Sequence, residues 1–239
     1  LGEDQTVTIE VGSAEPTMYA SRESMVVLDP SSRPAFSVFT INYNTIKVQA
    51  YAVQPEDWPA YMDYLEAARR STTPTKVPGT KKIDQEMPVK GELDVLKETS
   101  IDLSPALGET HSRQALAGST GHVVLIVQPG EPSVPPSERL NWKPTVSVWV
   151  QATSLGVDAF VDSKKLVVWA SSLQDGSPVA GAKVTVYPGK ATAETRSDGL
   201  VRFDQPTTSA DRLGYLIARS GHDSVILPEN IDWWAGGWR

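Results

Sequence analysis

Apolar and polar residues alternate in short runs along most of the chain. TVTIEV at 6–11 and SMVVLD at 24–29 each read as a short strand. AFSVFTIN at 35–42 and NTIKVQAYAV at 44–53 predict an antiparallel pair, with Ile46, Val48, Ala50 and Ala52 on one face and Lys47, Gln49 and Tyr51 on the other. Asn42-Tyr43-Asn44 between them reads as a tight turn.

The period changes in QPEDWPAYMDYLEAARRS. Trp58, Tyr61, Met62 and Leu65 recur at spacings of three and four, behind an acidic first turn (Glu56, Asp57) and ahead of Arg69-Arg70, so a helix is predicted over about 55–70. Pro59 is tolerated near its start, where a backbone donor has no partner anyway. The polar, proline-punctuated and locally basic stretch that follows predicts an exposed loop over 71–88. Strands are expected to resume at 89–97 and 121–128.

PGEPSVPPSE at 129–138 cannot lie within a sheet and marks a domain boundary. Beyond it come strand-like runs about every ten residues: TVSVWVQAT, VDAFV, KLVVWAS, AKVTVY, LVRF, GYLIAR and DSVIL, with Asp175-Gly176 and Asp198-Gly199 as turns. The expected fold is all-β: two tandem immunoglobulin-like sandwiches at 1–134 and 140–230, the first with a helix-and-loop insertion, then a connection at 231–239.

Composition narrows the function. The 239 residues carry a formal net charge of −7, which argues against nucleic acid and anionic lipid as partners. There is no cysteine, so the chain has no disulfide, thiolate zinc site or cysteine nucleophile. No apolar run approaches the roughly 20 residues of a membrane helix, so direct membrane insertion is not expected. The start carries no targeting segment, so any signal peptide is expected to have been removed or never cloned, and the tail IDWWAGGWR reads as a cut through a connection of something longer.

Against this background, residues 149–187 resemble the start of a macroglobulin β-sandwich of the bacterial alpha-2-macroglobulin family. The resemblance is carried by Ala152-Thr153-Ser154-Leu155-Gly156, Val168-Trp169-Ala170-Ser171, Gly176 and Pro178-Val179-Ala180-Gly181-Ala182. It continues through TRSDGLVRF and YLIARSGHDSVIL, is good over about 144–228 and weaker over 1–134. The resemblance implies a structural part of a broad-spectrum protease inhibitor of the periplasm or cell envelope. Such an inhibitor traps a protease after the protease cuts a bait segment, and its partners are the neighbouring domains and the target proteases. The chain departs from the family in lacking the cysteine of the Cys-x-x-Gln thioester. A cell-surface adhesion or carbohydrate-binding module is the alternative.

Residue chemistry suggests no enzyme. The histidines are His111, His122 and His222; SGHDS at 220–224 holds the letters of a hydrolytic triad, but neighbours in one short stretch cannot converge as a triad requires, and a turn held by Asp223 is expected. No phosphate loop, calcium loop or histidine pair with metal spacing occurs, so no catalytic, cofactor, metal or thioester residue is assigned and no cofactor is expected. Trp149 and Trp169 are expected in a core or against the neighbouring domain, and Trp233, Trp234 and Trp238 in an interface with a following domain. The loop at 71–85, with Lys76, Lys81 and Lys82, is the expected first site of tryptic cleavage.

Overall fold

The computed structural model describes residues 11–21, 23–70, 76–109, 119–136, 144–162, 164–204 and 214–229. The first unit is a sandwich of two unequal sheets. β1 (Thr17–Tyr19), β3 (Ala35–Ile41) and β6 (Lys97–Asp102) form an antiparallel sheet in the order β1-β3-β6. The larger sheet runs β2-β9-β8-β4-β5, built from β2 (Met25–Leu28), β9 (Val146–Ala152), β8 (Ser119–Pro129), β4 (Thr45–Val53) and β5 (Thr80–Pro88). β7 (Gly108–Glu109) pairs with the start of β8, and β2 lies parallel to β9.

Alternation does the work between the layers. Phe36, Val38 and Ile101 from the small sheet meet Ile46, Val48, Ala50, Val123, Leu125, Val127, Val148 and Val150 from the large one. Each large aliphatic side chain withdrawn from water in this way contributes roughly 1.5–3 kcal/mol.

Among the described residues the second unit has seven strands. β10 (Leu155–Val161), β11 (Lys165–Ser172) and β14 (Leu200–Asp204) form one sheet. β13 (Ala191–Glu194), β12 (Lys183–Tyr187), β15 (Tyr215–Ser220) and β16 (Asp223–Pro228) form the other, in the order β13-β12-β15-β16. Leu166, Val168, Val184, Val186, Val201, Leu216, Ala218 and Val225 fill the space between them. The GSPVAGA loop is tied down by Thr195, whose hydroxyl donates to Val179 O (2.6 Å) and accepts from Ala182 N (2.9 Å). Gly199, at φ 74°, turns the chain where a side chain would strike Ala170 and Pro178.

Four expectations change. β3 and β4 do not pair; they belong to different sheets. Asn42, buried and at φ 55°, instead sends its side chain across the end of the sandwich, donating to Ala14 O and Asp94 Oδ1 (both 2.7 Å) and accepting from Asp94 N. The Asn42-Tyr43-Asn44 turn is therefore a corner between layers.

Residues 80–88 form a strand rather than the end of a loop, because only Ile83 and Met87 need to meet the core. The remaining charges of β5 suit an unpaired edge. Residues 89–96, expected as a strand, are irregular.

The TVSVWVQAT run pairs with β8 and β2, so the first strand assigned to 140–230 lies in the sheet of the first unit. The seventh strand of the second unit is β13, whose ATAE sequence carries almost no apolar signal. The strand expected at 6–11 lies outside the described residues.

Candidate functional site

The outer face of the large sheet is the most elaborated surface in the molecule. β8 reads HVVLIV without alternation because both its faces are covered: Val123, Leu125 and Val127 face the small sheet, while Val124 and Ile126 point the other way. On that second side lie a helix and the second unit.

The helix, α1 (Trp58–Arg70), follows a short 3-10 turn (Pro55–Asp57) in which Asp57 accepts the Gln54 backbone N–H at 2.9 Å. Its 3.6-residue period places Trp58, Tyr61 and Tyr64 inward, with Met62 and Leu65 beside them. Trp58 meets Trp149 edge-on (5.4 Å between ring centroids, 78°), and Tyr61 packs on both indoles at 5.6 and 5.5 Å. Tyr215, Ile217 and Ile226 of the second unit complete the cluster, so one apolar body spans both units.

A row of polar contacts runs through it. The Trp149 indole N–H donates to His122 Nδ1 (3.2 Å), and His122 Nε2 lies 3.0 Å from Ser224 Oγ. An indole nitrogen only donates, so Nδ1 is the bare nitrogen and the Nε2 proton is given to Ser224. Burial drives the His122 pKa down to about 4, with Arg219 adding to the shift and Ser224, Asp223 and Glu56 opposing it.

Gln151 continues the row. Its amide accepts from Ile226 N (2.9 Å) and donates to Ile226 O (3.3 Å), as a paired strand would. Asp223 then accepts from Thr153 Oγ1 (2.8 Å), Ser154 N (2.8 Å) and Ser154 Oγ (2.5 Å). At the far side Arg219 Nη2 bridges both oxygens of Glu56, at 2.7 and 2.9 Å. Next to it Tyr187 and Tyr215 lie parallel at 4.5 Å, and burial first, then Tyr187 and Glu56, raise the Tyr215 pKa to about 12.

The His122–Ser224 pair invites comparison with a hydrolase and fails it on tautomer. A serine nucleophile needs a bare Nε2 to take its proton, with Nδ1–H held by a carboxylate. Here the proton sits on Nε2 and an indole N–H occupies Nδ1. The pair is structural.

SGHDS itself is the β15–β16 hairpin turn, with Gly221 at φ 58°, His222 exposed and Asp223 reaching the chain between the two units. Trp149 is fully buried in the aromatic cluster, while Trp169 is half-buried on the outer face of the second unit. Lys76 lies exposed outside regular structure, and Lys81 and Lys82 lie on β5. His111, Trp233, Trp234 and Trp238 fall outside the described residues. Among the described residues, no group of histidine and carboxylate side chains is arranged to hold a metal ion, and no helix is long and apolar enough to cross a membrane.

Sequence reasoning missed His122, Gln151, Ser224 and the Asp223 contacts with Thr153 and Ser154. The available signal was weak: single polar residues interrupting the otherwise apolar runs of β8, β9 and β16.

The described residues thus form two sandwiches joined through an aromatic and hydrogen-bonded seam. Residues 152–234 match the family described as the bacterial alpha-2-macroglobulin MG3 domain. The fold resembles that of the native Escherichia coli alpha-2-macroglobulin segment spanning domains NIE-MG1, at TM-score 0.62 and 15% identity over 90% of this chain and 97% of that one. The longer E. coli segment spanning MG0-NIE-MG1 superimposes at TM-score 0.60 and 16% identity, covering 91% of this chain and 65% of that one. By sequence, 174 residues are 27% identical to Circularly permutated Ras protein 2 of Dictyostelium discoideum, which is 66% of this chain and only 4% of that protein.

Proposed function

We propose that the chain is a structural arm of a bacterial alpha-2-macroglobulin-like protease inhibitor, working in the periplasm or cell envelope, that cages proteases after they cut a bait segment. The observation that carries this reading is the family match over 152–234 on a fold similar to that of a two-domain segment of the E. coli protein. In this reading the arm is not an enzyme and supplies no chemistry. It offers fixed geometry to neighbouring domains of a longer parent, which hold the bait. The tautomer of the His122–Ser224 pair agrees with a structural rather than catalytic assignment.

The test uses the full-length parent incubated with a broad-specificity protease. Caging leaves cleavage of a small peptide substrate intact and suppresses cleavage of a large protein substrate. Equal cleavage of both, as in a control without the parent, overturns the proposal.

A further inference from the structure

We propose that Asp223 is the latch of a locked joint, and that the two sandwiches form one rigid body rather than two units on a hinge. Only Thr153 and Ser154 separate β9 of the first unit from β10 of the second. A link this short, made of small polar residues, is where a swivel would be expected. Both residues are instead held by one carboxylate from β16, in the other sheet of the second sandwich. Oδ1 takes the Thr153 hydroxyl, and Oδ2 takes the Ser154 amide and hydroxyl. The Thr153 hydroxyl accepts in turn from Leu155 N (3.0 Å), so the latch also fixes the first residue of β10.

Three further contacts resist rotation from other directions. Gln151 pairs with the backbone of Ile226, His122 with Ser224, and Glu56 with Arg219. The first two lie within or beside the aromatic cluster, so bending the joint would leave buried polar groups without partners. The last is half-exposed and adds little. The latch ties the link itself, while Gln151, His122 and Glu56 tie the first unit to β15 and β16 of the second, so a rotation about Thr153–Ser154 must break contacts at several points. Shape changes in a longer parent must then pivot at other junctions. The inference concerns the pair of units alone and stands apart from the trapping reading.

The absence of native cysteine makes the test clean. Glu98→Cys and Arg202→Cys place spin labels on exposed positions of the two outermost sheets. The expected result is a single narrow distance distribution that broadens in Asp223→Ala. In the same variant, amide exchange at Ser154 should rise at least about tenfold, as loss of a charge-assisted hydrogen bond requires. Should Asp223→Ala not fold, Thr153→Val removes one arm of the latch at nearly constant volume and is read the same way. A broad distribution with Asp223 intact overturns the proposal. So does a distribution left unchanged by loss of the latch.

Discussion

The indole N–H of Trp149 donates to Nδ1 of His122 at 3.2 Å, and both side chains are buried where the two sandwiches meet. Burial keeps the histidine neutral, the contact leaves Nδ1 as its bare nitrogen, and the seam is therefore sensitive to acid. Protonation would place a second N–H on Nδ1, facing the indole donor.

The His122 pKa is about 4 in the folded chain against 6.5 unperturbed, so the unfolded state binds the extra proton first. Stability from this group is complete above pH 6.5, falls as the pH drops towards 4, and levels off below, a total of roughly 3 kcal/mol. Asp223, Arg219 and Glu56 are the other charged groups acting on the ring. Asp102, held near 2 by Ser104 and then Arg33, loses its contribution only at lower pH, from 3.8 downward. Urea unfolding between pH 4 and 7 should show the slope in the native chain and lose most of it in His122→Gln. An equal slope in both would refute the assignment.

Trp149→Ala should cost about 3–5 kcal/mol, the range for emptying a buried aromatic site. Trp149→Phe should cost less, because a ring still fills part of the space against Trp58 and Tyr61. Chemical denaturation decides between them. A loss below about 1 kcal/mol for the alanine variant would mean that the cluster is loosely packed.

Gly181 and Gly199 share a left-handed backbone, at φ 72° and 74°, but not the same surroundings. A methyl group at Gly181 meets open space, so Gly181→Ala should cost only the backbone term of about 1–2 kcal/mol. At Gly199 the new carbon would stand 2.5 Å from Ala170 O and 2.9 Å from Pro178 Cβ. Thermal unfolding should rank Gly199→Ala clearly below Gly181→Ala, and the reverse order would contradict the described turn.

Limited trypsin digestion should cut after Lys76 before Lys81 or Lys82. All three belong to one basic stretch, but Lys81 pairs with Tyr51 in the β4–β5 ladder and bonds Asp84 at 2.8 Å, and a protease must first pull that strand free. Mass spectrometry of early fragments reads the order directly. Early cleavage at Lys81 or Lys82 would count against β5 as a stable strand.

Legibility in the sequence followed the periodicity. Strands with a covered and an open face, such as β3 and β12, show their alternation, and α1 shows its three-and-four spacing. β5 and β13 were not legible because an edge strand is held by its neighbour's backbone and needs few apolar residues of its own. The β3–β4 corner was misread because Asn42-Tyr43-Asn44 looks the same whether the chain folds back in one sheet or crosses to the next. Buried Asn42 and exposed Asp94, 52 positions apart, make the difference. The seam was hidden for the same reason: His122 and Ser224 are 102 positions apart, and neither is unusual in its own strand.

β9 follows the proline-rich stretch in sequence yet lies inside the larger sheet, between β8 and β2. During translation, then, that sheet stays incomplete until residue 152 has left the ribosome. Before that moment β8 presents a bare apolar edge, and β2 has no ladder partner among the described strands. A gene cut at the prolines would strand the nascent sheet in that condition and yield sticky, insoluble product. Whoever expresses the first unit by itself should place the stop codon after Ala152.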